Sequence, residues 1–200
     1  MNIVADGLST SDIYKLLVGG ITPRPIAWIS TRSDQGIDNI APYSFFSVAS
    51  VNPPILSYTQ VNPQTDSDKD TLTNLLATKE CVVHIVNSET MHKMNLSCAG
   101  LPPEQSEFAF ADIASEPSQL VTPLSVSDAP VRYECRLREV IRLGDQAGAG
   151  SLVLLDVVSV FVADHLYQDG KIDQQALDSV GKMGGDFYSF TKHLDTLSRP

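Results

Sequence analysis

Two hundred residues carry 14 lysines and arginines against 24 aspartates and glutamates, a formal charge of −10, with 42% apolar and 19% charged residues. This is enough apolar material for the core of one ordinary domain, and too much for a disordered chain. The acidity, with no basic residue between Ser33 and Asp68, excludes a nucleic-acid backbone as partner, and no apolar run is long enough to cross a membrane as a helix.

Residues 9–18 read as a short helix that Ser9, Thr10 or Ser11 can cap and Gly19-Gly20 ends. Residues 25–31 read as a strand, 33–36 as a turn and 37–43 as the returning strand. Extended runs follow at 45–50 and 55–60, separated by Asn52-Pro53-Pro54, and residues 61–69 form a polar loop. Leu72, Leu75 and Leu76 have helical spacing behind Asp70, a candidate N-cap. Residues 81–86 form a β-branched strand, and 88–97 a short helix with Met91 and Met94 on one face. Residues 100–128, rich in Pro, Ser and Ala, make a long excursion within the same domain, because strong strands resume after it. Val131, Tyr133, Cys135 and Leu137 alternate with charged residues, and residues 151–163 supply an apolar partner strand for a hairpin. Residues 174–180 read as a last short helix, and Gly184-Gly185 precedes Phe187-Tyr188. Several hairpin-linked strands with short helices between them predict a mainly β fold, an antiparallel barrel or sandwich.

The N-terminus lacks the basic and apolar regions of a secretory signal, so the chain is expected to be cytoplasmic. Its three cysteines, Cys81, Cys98 and Cys135, have no CxxC and no zinc-ligand spacing, and are expected as reduced thiols, Cys81 and Cys135 within the core. His84 lies in a strand and reads as a core histidine. No P-loop, nucleophile elbow or HExxH is present, and no metal site is expected. Two segments carry more. At Lys69-Asp70-Thr71 a cation, a hydroxyl and the free N–H groups of a helix start gather, which is either a phosphate cradle or an ordinary cap. Residues 39–47 mix aromatic rings, hydroxyls and an amide around Pro42, which is either a surface for a flat heterocycle or a bulged core strand.

Taken together, residues 21–56 (ITPRPIAWISTRSDQGIDNIAPYSFFSVASVNPPIL), KDTLTNL at 69–75, MNLS at 94–97, PVRYECRL at 130–137 and GGDFY at 184–188 resemble the flavin reductase-like, FMN-binding split-barrel proteins, over nearly the whole chain. The resemblance implies one domain over residues 1–200, with a core at about 20–190, folded as a Greek-key split β-barrel with short inserted helices. It implies a homodimer with FMN near the interface. Carried onto this sequence, Ser30 and Thr31 end a strand beside the flavin. Asn39, Ala41, Pro42, Tyr43 and Ser44 line the ring and ribityl chain, Lys69, Asp70 and Thr71 lie at the phosphate, and Gly184, Gly185 and Tyr188 close over the site. One departure is visible. Asp68, with Asp66 close by, stands where family members often carry a basic residue, and carboxylates there oppose a dianionic phosphate.

A flavoprotein needs no catalytic triad, because the flavin accepts the hydride and the protein supplies binding and orientation. The resemblance therefore implies an NAD(P)H:flavin oxidoreductase, with NADH or NADPH as donor and free flavin or a redox partner protein as acceptor. The alternative is a non-enzymatic FMN electron carrier of the flavoredoxin type.

Overall fold

The alternation that begins at Val131 folds, in the computed structural model, as a 12-residue strand paired with a 13-residue one. The structure describes residues 1–62 and 69–198, so Asp66 and Asp68 lie outside the described residues. The chain first forms helix α1 (Thr10–Gly20), then strands β1 (Arg24–Pro25), β2 (Ala27–Arg32), β3 (Asp38–Tyr43), β4 (Phe46–Val51) and β5 (Pro54–Val61). Helix α2 (Asp70–Thr78), strand β6 (Glu80–Ile85) and helices α3 (Met91–Leu96) and α4 (Glu107–Phe110) come next. Two short strands, β7 (Ser115–Glu116) and β8 (Ser125–Val126), precede the long pair β9 (Val131–Arg142) and β10 (Gly150–Val162). The C-terminal part adds β11 (Tyr167–Gln168), β12 (Lys171–Ile172), α5 (Gln174–Leu177), β13 (Val180–Lys182) and β14 (Tyr188–Phe190).

Seven strands make one antiparallel sheet in the order β3-β2-β6-β9-β10-β5-β4. β3 and β4 stand at opposite ends of that order, yet only Ser44 and Phe45 separate them in the chain, so the sheet must curl until its edges meet. The Tyr43 hydroxyl donates to Gln60 Oε1 at 3.1 Å, and the Tyr43 and Tyr58 ring centroids lie 4.9 Å apart, which ties β3 to β5 across the closure. This is the mainly β antiparallel fold that the strand pattern predicts, closed as the split barrel that the resemblance implies.

β2 is buried on both faces. Ala27 and Ile29 point into the barrel with Tyr58, Val83, Cys135 and Leu155, and Leu72 and Leu75 of α2 join them. Trp28 faces the other way, into a second cluster with Ile40, Met94, Phe108 and Ile113 beneath the 100–128 excursion. Its indole N–H donates to Ser97 Oγ at 2.9 Å. His84 is the core histidine expected. The Val126 N–H donates to its Nε2 at 3.0 Å, which leaves Nδ1 as the protonated nitrogen, 2.8 Å from the Trp28 carbonyl. Cys81 and Cys135 are buried, free thiols facing each other across β6 and β9.

Element boundaries differ from the expected ones for local reasons. α1 continues through Gly19 and Gly20, because Arg24 Nη1 donates to the Val18 carbonyl at 2.6 Å and the Ile21 carbonyl at 2.8 Å, satisfying the helix end that a left-handed glycine would otherwise close. Asp70 is the first helical residue of α2 and not its cap; Lys69 holds the cap position. α3 starts only at Met91, since Asn87 Oδ1 accepts the Thr90 N–H at 3.0 Å and keeps residues 87–90 in a turn. α5 stops at Leu177, as Asp178 adopts a left-handed φ of 45° and Val180 then enters β13.

Candidate functional site

Tyr43 ends β3 with its ring buried, and the strand edge before it faces the start of α2. Asn39, Ala41, Pro42 and Tyr43 from β3 and Lys69, Asp70 and Thr71 from α2 line one cavity of about 430 Å³. Its remaining wall is Ser97, Cys98, Ala99, Gly100, Leu101, Pro103 and Glu107, from the turn after α3 to α4. These residues were not among those expected. Their stretch has no periodicity, and its one hint in the sequence is Glu107, an acid beside apolar Phe108.

The other expected residues sit elsewhere on the chain. Ser30 is buried beneath the excursion, its hydroxyl donating to the Leu124 carbonyl at 2.6 Å. Thr31 lies behind the cavity, accepting from Asn74 Nδ2 at 3.2 Å. Ser44 Oγ accepts from Arg24 Nε at 3.3 Å and lines a neighbouring apolar hollow with Leu17, Ile21, Phe45 and Phe46. Gly184 packs against the α1 terminus, and Gly185 takes the φ of +58° that the β13–β14 turn requires. The Tyr188 hydroxyl donates to Asn95 Oδ1 of α3 at 3.1 Å, so the hairpin braces the helix whose end forms the cavity wall and does not itself line the cavity.

Charge and hydrogen-bond polarity are arranged unevenly around the cavity. Lys69 Nζ stands 5.9 Å from the centre of the Tyr43 ring. The first N–H groups of α2 have no intrahelical partner and carry the positive end of the helix dipole. Against them stand two carboxyl groups. Burial pushes the Glu107 carboxyl above its ordinary range, as it does that of Asp70, which Glu104 pushes further. Burial also raises the Tyr43 phenol, so it remains a hydrogen-bond donor. The Cys98 thiol is raised by burial, with the Lys69 and Lys182 ammonium groups acting in the opposite sense. On the outer edge of β3, the Ile40 N–H is taken by Glu107 at 3.1 Å and Pro42 has no N–H, so this edge offers carbonyl acceptors.

A volume of this size suits a small ligand. Apolar Ala41, Pro42, Leu101 and Pro103 can face a flat ring, the β3 carbonyls can accept from a ring N–H, and Lys69 with the α2 N–H groups can hold one phosphate. The donor set therefore fits a flavin mononucleotide.

Comparisons with known proteins place the chain in a family. Residues 19–176 match the model of the flavin reductase like domain. An uncharacterized protein of Halalkalibacterium halodurans, BH2278, is 36% identical across all of this chain and 97% of its own length. The crystal structure of nitrilotriacetate monooxygenase component B from Bacillus cereus superposes with a TM-score of 0.93 at 33% identity, covering 98% of each chain. That of the Pseudomonas fluorescens 2-nitrobenzoate 2-nitroreductase NbaA gives 0.89 at 26% identity, covering 100% of this chain and 96% of the other.

Proposed function

The chain belongs to the flavin reductase-like family, and from that premise we propose that it is an FMN-binding NAD(P)H:flavin oxidoreductase, which passes hydride from NADH or NADPH to the flavin and electrons on to free flavin or a partner protein. The observation that supports the reading is convergence: the β3 edge brings apolar Ala41 and Pro42, and the α2 start brings Lys69 and its first N–H groups, to one cavity. Bound flavin would supply the hydride-accepting ring. Lys69 and the α2 N–H groups would hold its phosphate, Ala41 and Pro42 would face the ring, and Leu101 and Pro103 would exclude water from it. The test is anaerobic mixing of the protein with FMN and each nicotinamide in turn. Flavin absorbance is expected to bleach with at least one donor; persistence of the yellow colour with both overturns the reading.

Charge balance separates this reading from the electron-carrier alternative. Among the described residues lining the cavity, Lys69 stands alone as a cation against the carboxyl groups of Asp70 and Glu107. Such a balance favours a flavin that exchanges over one held permanently. A protein that keeps its flavin through gel filtration while oxidising NAD(P)H slowly would instead be a carrier.

The same reading makes the protein a cytoplasmic homodimer with the flavin near the interface. Exposed Tyr14, Leu16, Leu17 and Ile21 at α1, with Val48 and Val51 on the edge strand β4, supply apolar surface that supports it. A light-scattering mass of a single chain removes this part of the proposal.

A further inference from the structure

Behind the cavity runs a chain of hydrogen bonds whose direction is fixed at one end. Glu107 is 4% exposed, and its Oε2 accepts from Asn39 Nδ2 at 3.0 Å and from the Ile40 backbone N–H at 3.1 Å. With Nδ2 turned to Glu107, Asn39 Oδ1 faces the other way and accepts from the hydroxyls of Thr71 at 3.0 Å and Thr31 at 3.3 Å. Thr31 Oγ1 accepts in turn from Asn74 Nδ2 at 3.2 Å. The Ile40 N–H marks Glu107 Oε2 as an acceptor, so Glu107 decides which way the Asn39 amide points, and the amide decides where both hydroxyl protons go. The chain joins β2, β3, α2 and α4, and Asn39, Thr71 and Glu107 also line the cavity.

We propose that Glu107 is a positioning residue of this cavity: acting through the Asn39 amide, it turns the Thr71 hydroxyl proton away from the ligand and locks the start of α2 against β3. A bound anion then meets Lys69 and the α2 N–H groups as its donors, while Thr71 offers only lone pairs and suits a ligand hydroxyl. The fixed amide also presets the cavity shape before the ligand enters, which lowers the ordering cost of binding. The identity of the ligand rests on the flavin reading; the Glu107–Asn39 pairing does not.

The test reverses the polarity of that pairing. FMN is titrated into the wild type, Asn39→Asp, Glu107→Gln and the double variant, followed by quenching of flavin fluorescence, and each thermal midpoint is recorded. Asn39→Asp sets two carboxylates against each other and is expected to weaken FMN binding by about tenfold or more. Glu107→Gln keeps one oxygen for Asn39 and Ile40 but buries an amide N–H2 without an acceptor, and is expected to weaken binding, by less than Asn39→Asp does. The double variant again opposes one amide to one carboxylate and is expected to return to within about threefold, a coupling that independent sites do not show. Wild-type affinity in Asn39→Asp overturns the proposal, as does a double variant that binds no better than Asn39→Asp. If Asn39→Asp fails to fold, the double variant still decides: near-wild-type affinity supports the pairing and lost affinity overturns it. If the wild type takes up no FMN, the flavin reading fails by itself. The same loss and recovery in thermal midpoint then support the pairing, and their absence overturns it.

Discussion

His84 shows how much one buried side chain can set. Burial pushes its imidazole down to about 3, and both ring nitrogens are used, so the folded protein holds it neutral. In the unfolded chain a histidine titrates near 6.5, about three units higher. Because the folded value is depressed, the unfolded state takes up the proton first as pH falls. The stabilisation is complete above 6.5 and is lost progressively down to about 3. Between pH 7.5 and 5.5 the loss from this residue is about 1.4 kcal/mol. Urea unfolding of the wild type and of His84→Gln at the two pH values checks it. The variant starts less stable but should fall less between them, and equal falls would refute the assignment. The sequence already placed His84 in the core. It could not name the partners, since Val126 lies far along the chain at the end of an excursion with no periodicity.

Elements are held at their ends by side chains that lie outside them. Arg24 is 6% exposed and spends its donors on the carbonyls of Val18, Ile21 and Met183 and on the Ser44 hydroxyl. It therefore closes α1 and fastens β13 and the β3–β4 corner to it. Arg24→Met leaves these buried carbonyls without a donor and is expected to cost about 2–4 kcal/mol, read as a lower urea midpoint; a loss under about 0.5 kcal/mol would show the contacts to be incidental. Arg24-Pro25 was legible in the sequence as part of a resemblance, but its work at a helix end was not. The contrast holds across the elements. β9 and β10 are plain from alternation, because one face of each is wetter than the other. The β3 edge and the α2 start stood out in the sequence, because Pro42 and the Lys69-Asp70-Thr71 run break ordinary patterns, but each left a site and an ordinary strand or cap open; the structure brings both to one cavity. The third wall, residues 97–107, did not stand out, since its residues take their places from Trp28, Ser97 and Glu107 and not from any local period. Tyr188 and the glycine pair were expected to close over the site; in the structure Tyr188 braces α3 through Asn95, while Gly184 packs against the α1 terminus, contacts between segments far apart in the chain.

At the scale of the whole molecule, the charge of −10 and Lys69, the one lysine among the described residues lining the cavity, act on different steps of binding. On the proposed reading, a dianionic ligand approaching from a distance sees the net charge, which repels it, and once seated meets Lys69 and the α2 N–H groups. The two fields respond to salt in opposite ways. Raising ionic strength from 0.01 to 0.15 M shortens the screening length from about 30 Å to about 8 Å, which removes the long-range repulsion and leaves the close contacts largely intact. The association rate of FMN, followed by stopped-flow quenching, should therefore rise over that range by about twofold or more, with a smaller change in the dissociation rate. Riboflavin has the same ring and no phosphate, so its association rate should stay nearly flat. A fall in the FMN rate with salt would mean that local cations, and not the acidic surface, steer the encounter, and that the phosphate end of the cavity is more positive than Lys69 alone can make it.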